Sequence, residues 1–190
     1  MSILKIIDNV VSPEIFEISQ QELSKGIWKF SNNSGNMDTN VGFGADDFCV
    51  KINNLILENK LNQSNIIYNL WNSVNNVVQI EKNYKNKLNR IHLNCGPPLY
   101  DQTVHQDDEV TFSKNITIVY FIHPRWDTSW GGELLVYDIS QSRVIGGSYP
   151  TPNRAVIFPS YLPHRGVAVS RISPLMRISI AFQCQYDNSL

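Results

Sequence analysis

From Lys87 to the C-terminus the chain is a succession of short segments rich in Val, Ile, Phe and Tyr. They read NRIHLNC, NITIVYFI, GELLVYD, NRAVIFP, HRGVAVS and MRISIAFQC. Gly96-Pro97-Pro98, Trp130-Gly131-Gly132, Pro150-Thr151-Pro152 and Ser173-Pro174 punctuate them. β-branched and aromatic runs this short, bounded by turn residues, are strands rather than helices. Many such strands in sequence need a closed or doubled sheet to cover their edges. The opening half reads differently. Residues 3–7 suit a short strand. Ser12-Pro13-Glu14 has the capping hydroxyl, early proline and acid of a helix start, so a helix is expected from Pro13 to about Leu23. IWKF is a candidate strand after Gly26, and residues 31–47, rich in Asn, Gly and Asp, read as a long loop or rim over a pocket. Apolar residues at three- and four-residue spacing from Lys51 to Glu81 predict two helices, the second stronger. The expectation is a mainly β chain with supporting helices on one side, an antiparallel barrel or sandwich.

With 190 residues, one domain is expected over 1–190, with helical support mainly in 13–81 and the catalytic β core at about 88–185. The formal net charge of −1 argues against a nucleic-acid scaffold, which needs a concentrated basic face. The densest basic run, Lys82 to Lys87, is read as a solvated turn. Three cysteines, at 49, 95 and 184, form no CxxC pair and leave at least one unpaired, which fits a reducing, cytoplasmic setting. The N-terminus shows neither a signal-peptide pattern nor an apolar run long enough for a membrane span. No dinucleotide or phosphate-loop fingerprint occurs.

The chain has four histidines, and two stand in chemically telling contexts. In Val104-His105-Gln106-Asp107, residues two apart on an extended backbone share a face, so an imidazole nitrogen and a carboxylate oxygen can meet at one point. His164 follows Pro163 and opens a strand. Two histidines and one carboxylate make a facial set that leaves positions open, as non-haem iron(II) oxygenases require, although zinc can use the same three ligands. In the last strand the period of two puts Met176, Ile178, Ile180 and Phe182 on one face and Arg177, Ser179, Ala181 and Gln183 on the other. The second set is a small-residue surface carrying one guanidinium, suited inside a barrel to a bidentate hold on a carboxylate.

Taken together, His105-x-Asp107, Thr117 to Ile122, Trp130-Gly-Gly-Glu133-Leu134, Asn153 to Ser160, His164-x-x-Val167 and Arg177-Ile-Ser-Ile resemble the catalytic core of the 2-oxoglutarate/iron(II) dioxygenases, in particular the prolyl 4-hydroxylase-like branch. Ile7 to Pro13 also resembles the usual opening of such domains. The resemblance implies a double-stranded β-helix, the jelly-roll or cupin-like barrel. It implies iron(II) held by His105, Asp107 and His164 as metal ligands and catalytic residues. It implies 2-oxoglutarate as cosubstrate with its C5 carboxylate on Arg177, O2 as oxidant, and ascorbate as a candidate reductant. Asp107 disfavours halogenation, since related halogenases carry a small residue there. Two departures stand out. Arg177 lies thirteen residues beyond His164, with Arg171 nearer, and Arg177 is preferred because it opens the final strand. Where relatives often supply a tyrosine hydroxyl to the cosubstrate, this chain has Phe121, with Tyr120 one residue earlier. Either a bulge turns Tyr120 inward or Thr117, Ser179 or His123 completes the pocket.

For the primary substrate, Tyr100, Gln102, Trp130 and Arg154 are candidate contacts, and Trp126 is a second rim aromatic. His92 is assigned to cross-strand packing. A chain with no added peptide-binding domain suggests hydroxylation of a small metabolite, such as an amino acid or biosynthetic intermediate, in preference to a protein. A peptidyl or prolyl hydroxylase and a non-catalytic cupin-like binding module are the alternatives. No nucleic-acid or membrane partner is expected, and pairing through a barrel face or the helical layer is left open.

Overall fold

The structure is a computed structural model and describes residues 4–24, 29–32, 41–44, 50–51, 66–82, 85–109 and 113–187. Strands β1 (Lys5–Asp8), β2 (Lys29–Asn32), β3 (Val41–Gly44) and β4 (Val50–Lys51) surround helices α1 (Pro13–Ser24) and α2 (Ile66–Lys82) in the first half. The second half runs through β5 (Lys85–Gly96), β6 (Asn115–Phe121), β7 (Leu134–Tyr137), β8 (Val144–Ser148), β9 (Arg154–Pro159), β10 (His164–Gly166) and β11 (Arg177–Asp187). The larger sheet has the order β1-β9-β6-β11-β5-β3-β2, with β4 also on β5; the smaller has the order β10-β7-β8. Every pairing within these sheets is antiparallel. This is the mainly β, helix-supported jelly roll anticipated from the strand pattern.

The alternation along the central strands decides which side chains reach the interior. On β6, Ile116, Ile118 and Tyr120 join the core shared with the helices, while Val119 and Phe121 face the smaller sheet with Val156, Phe158, Leu134 and Val136. On β11, Ile180 and Phe182 are fully buried beneath α2, and the Phe182 ring lies 5.3 Å from that of Trp71. α2 turns Ile67, Leu70, Trp71, Val74 and Val78 onto this outer face, the three- and four-residue spacing of one helical stripe. Ser12 caps α1, its hydroxyl accepting from the Ile15 amide at 3.3 Å.

Several expectations need correction. Ser31, Asn32 and Val41–Gly44, read as loop, are strand residues of the antiparallel pair β2 and β3, so the long loop is partly sheet; residues 33–40 and 45–47 lie outside the described residues. Lys51, expected to begin a helix, pairs with Arg90 as strand, and the first helix of the expected pair, 52–65, likewise lies outside them. The basic run read as a turn contributes Lys82 to the end of α2 and Lys85 to Lys87 to β5. Strand β8 was missed because Gly146-Gly147 lowers strand propensity. A Cβ at Gly147 would stand 3.0 Å from the Leu134 carbonyl oxygen, so the close approach of β7 favours glycine there. Among the described residues no helix is long and apolar enough to cross a membrane.

Candidate active site

The segment from Pro97 to Asp107 runs beside β10 and builds the site by backbone pairing. The Gln102 amide donates to the Gly166 carbonyl, His105 and His164 exchange both amide–carbonyl bonds at 3.0 and 2.9 Å, and the Asp107 and Asp108 amides both donate to the Ser160 carbonyl. His105 therefore sits at a single bridge rather than within a strand. The extended backbone still sends His105 and Asp107 to one side. His105, Asp107 and His164 each offer one ligand atom, and these atoms lie within 4.8 Å of one another. His164 Nε2 is 3.6 Å from Asp107 Oδ2.

The tautomers follow from the neighbours. His105 Nδ1 lies 3.0 Å from the Thr103 carbonyl oxygen, and His164 Nδ1 lies 3.0 Å from that of Leu162. A carbonyl can only accept, so both Nδ1 atoms carry the proton and both Nε2 lone pairs are available to a metal. Burial holds the His164 imidazole below its usual pKa, with Asp107 acting in the opposite direction. Asp107 is itself oriented. Thr117 Oγ1 donates to its Oδ2 at 2.6 Å, and since that proton is used, Ser160 Oγ donates to Thr117 at 2.9 Å. Thr117 thus acts on the carboxylate, not on the cosubstrate as expected, and it does not line the cavity. Ser160 closes the Asn153-to-Ser160 stretch, but the sequence assigns it no role, because its partners arrive from segments 43 and 53 residues away.

A cavity of about 260 Å³ joins this cluster to Arg177 and is lined by Ser179, Ala181, Gln183, Gln102 and Leu134 among others. Arg177 is 5% exposed. Its Nε donates to the Gly132 carbonyl at 2.9 Å and its Nη1 to Ser179 Oγ at 3.4 Å, while the guanidinium lies 5.2 Å over the Phe121 ring. Burial pulls its pKa down to about 10. Its partners among the described residues are neutral, and a buried guanidinium so placed is costly, so the site has the charge of an incomplete ion pair. Two neighbours have unsatisfied polar atoms: the buried Tyr100 hydroxyl and both ring nitrogens of His123 have no hydrogen-bond partner. Tyr100, Gly96, Gly166 and Arg177 line one small recess, and a Cβ on Gly96 would sit 3.2 Å from the Tyr100 ring. An oxygen-rich anion against Arg177 fits this arrangement, and three ligand atoms with open space in front fit a facially bound metal.

Other expected residues are placed differently. Tyr120 does not turn inward. It is fully buried in the helix-side core, donates to Asn153 Oδ1 at 3.0 Å, and has its pKa pushed up by burial. The regular register of β6 against β9 and β11 has no bulge to rotate it. Arg154 points out of the barrel to Asp8, with Nε at 2.6 Å, and to Ser148, so it is a tie between β9 and β1 rather than a substrate contact. Trp130 lies edge-on to Trp126 in the turn after β6, beside Arg125 and off the cavity wall. Gln102 lines the cavity and accepts from the Gly166 amide. His92, assigned to packing, lines the cavity too. Arg171 is exposed, in contrast to Arg177.

A family model described as the 2OG-Fe(II) oxygenase superfamily matches residues 91–183, a span that includes all three ligand candidates and Arg177. Residues 91–183 therefore carry a 2OG-Fe(II) oxygenase core. The chain is an enzyme of the class that uses Fe(II) and 2-oxoglutarate. No curated protein sequence matches it. Among solved structures, a prolyl hydroxylase from Trichoplax adhaerens in complex with a hypoxia inducible factor oxygen degradation domain peptide fragment shares the fold at TM-score 0.65 and 18% identity, over 98% of this chain and 84% of that one. A Pseudomonas putida prolyl-4-hydroxylase aligns at TM-score 0.65 and 11% identity over 99% and 95% of the two chains. The viral collagen prolyl hydroxylase of Paramecium Bursaria Chlorella virus-1 aligns at 0.57 and 12% over 96% of each. The expectation of a small-molecule partner in preference to a protein is overturned by these neighbours, one of which holds a peptide fragment and another of which is a collagen hydroxylase.

Proposed function

We propose that residues 1–190 act as a single-domain peptidyl hydroxylase, with prolyl residues of a protein as the first target class. The observation that carries this reading is the match over nearly the whole chain to prolyl hydroxylases, one of them peptide-bound. In this reading His105, Asp107 and His164 hold iron(II) on one face, and Arg177, Ser179 and Tyr100 receive the C5 carboxylate of 2-oxoglutarate. Bound together, the two cofactors supply the chemistry: O2 and 2-oxoglutarate are converted to succinate and carbon dioxide while one oxygen atom enters a substrate C–H bond.

The chain's own residues do the positioning. The Thr103 and Leu162 carbonyls fix both imidazoles as Nε2 ligands. Thr117, backed by Ser160, donates to Asp107 Oδ2 and so holds the carboxylate in its orientation beside the histidines. The Arg177 guanidinium, anchored by Gly132, sets how deeply the cosubstrate enters. Tyr100 supplies the hydroxyl donor that Phe121 lacks. Its buried, partnerless oxygen supports that role. Phe121, Val119 and Leu134 keep the interior apolar and limit water. Buried free thiols at Cys95 and Cys184 favour a reducing, cytoplasmic location.

Purified protein with iron(II), 2-oxoglutarate and proline-bearing peptides should yield peptide gaining one oxygen atom, in step with succinate release. Asp107→Ala should abolish both. Full turnover in that variant sinks the ligand assignment. Succinate release that no peptide stimulates or couples to its own oxidation sinks the peptide reading.

A further inference from the structure

One charged side chain in the cavity has no task in this scheme. Arg90 lines the same space as the ligand cluster, on the inward face of β5 with His92 and Asn94. Its level in the barrel is set by the strand register. Arg90 pairs with Gln183 on β11, and Gln183 pairs with Thr117 on β6. Thr117 is the residue that holds Asp107. Arg90 therefore stands two strand spacings, ~10 Å, from the residue that positions the metal ligand. Arg177 lies at the other end of the same row, paired with Gly96.

Among the described residues the partner of Arg90 is not an anion. Its Nη2 lies 3.2 Å from His92 Nδ1. A guanidinium can only donate, so His92 Nδ1 accepts and the ring is neutral. Among the described residues that line the cavity, Asp107 is the only carboxylate. Asp107 and the two carboxylates of 2-oxoglutarate offset iron(II) and Arg177, so the described residues of the cavity leave the charge of Arg90 uncompensated. The amides Gln183, Asn94 and Gln106, which line the same cavity, carry no charge. A half-buried guanidinium beside neutral groups favours an incoming carboxylate in bidentate geometry.

We propose that Arg90, oriented by His92, is a specificity residue that receives a carboxylate of the peptide substrate close to the oxidised position. The inference rests on the peptide reading above. Extended peptide advances ~3.4 Å per residue, so the carboxylate belongs within about three residues of the target. It is either an acidic side chain at that distance or the free α-carboxylate of a C-terminal target.

The test uses the full chain loaded with iron(II) and 2-oxoglutarate. Matched proline peptides carry Glu, Gln or Lys within three residues of the target, each with a free or an amidated C-terminus. Hydroxylation is read aerobically as separate kcat and KM, and affinity is read anaerobically by titration. The Glu peptides, or the free-acid peptides if the α-carboxylate is the source, should be favoured about tenfold, mostly in KM. Arg90→Gln should remove that preference, Arg90→Lys should retain part of it, and Arg90→Glu should shift preference to Lys peptides. Reversal by charge exchange is not expected of a merely structural arginine, and thermal melting of the Gln and Lys variants checks that they fold. Hydroxylation with equal KM for Glu, Gln and Lys peptides, whatever their C-termini, overturns the inference and leaves the peptide reading standing. Binding that follows peptide charge without any hydroxylation overturns the peptide reading and retains the carboxylate site. Neither binding nor turnover by any peptide overturns both.

Discussion

Gly166 shows how one missing side chain shapes the site. It follows His164 by two residues on β10, and a Cβ there would stand 2.8 Å from Gln102 Oε1 and 3.0 Å from Arg177 Nη1. Only hydrogen fits between the strand and the guanidinium. Gly166→Ala should push Arg177 aside and weaken 2-oxoglutarate binding by roughly 10–100-fold, as small misplacements of a positioning group do. Iron affinity should change little. Anaerobic titration, following the visible band of the iron-cosubstrate chelate, checks both. His123 makes a second residue-scale case. It is fully buried between Phe121 and Trp126, and burial, reinforced by the charge of Arg177, pulls its pKa down to about 3. The unfolded chain binds a proton at this position below about pH 6.5 while the folded chain does not. Stability is therefore lost as pH falls from 6.5 toward 3, by up to ~1.4 kcal/mol per pH unit. His123→Phe should leave stability at pH 7.5 equal or higher, because an orphan imidazole is replaced by a ring of similar shape. It should also flatten the decline between pH 7.5 and 5 in denaturant titrations. An unchanged slope refutes the buried neutral state.

At the scale of elements, the decisive contact is between α2 and the outer face of β11. Ile180 and Phe182 anchor the strand to the helix, while Arg177, Ser179, Ala181 and Gln183 are left to the cavity. Trp71→Ala should remove the ring against Phe182 and cost about 3–5 kcal/mol of stability, read as a lower denaturant midpoint. Affinity of the folded protein for iron should persist, because Trp71 packs on the side of the sheet away from the metal cluster. The period of two in MRISIAFQC made this division legible in advance. The same period explains the failure at Tyr120. Without a bulge, one residue of offset puts the hydroxyl in the helix-side core with Asn153. Arg154 fell to the outside by the same alternation, and Asp8 holds it there.

For the whole molecule, local pattern and long-range closure contributed differently. The sequence by itself determined the succession of short strands, the amphipathic stripe of α2, the shared side of His105 and Asp107, and the inward face that carries Arg177. Each depends on spacing within a few residues, which backbone geometry converts directly into direction. Only the tertiary structure decided which distant segments complete those faces. Ser160 behind Thr117, Tyr100 over Gly96, Gly166 beside Arg177, and Arg90 level with Thr117 all arise from register between segments far apart in the chain. That register is settled by closure of the two sheets around one interior, and no short stretch of sequence carries it.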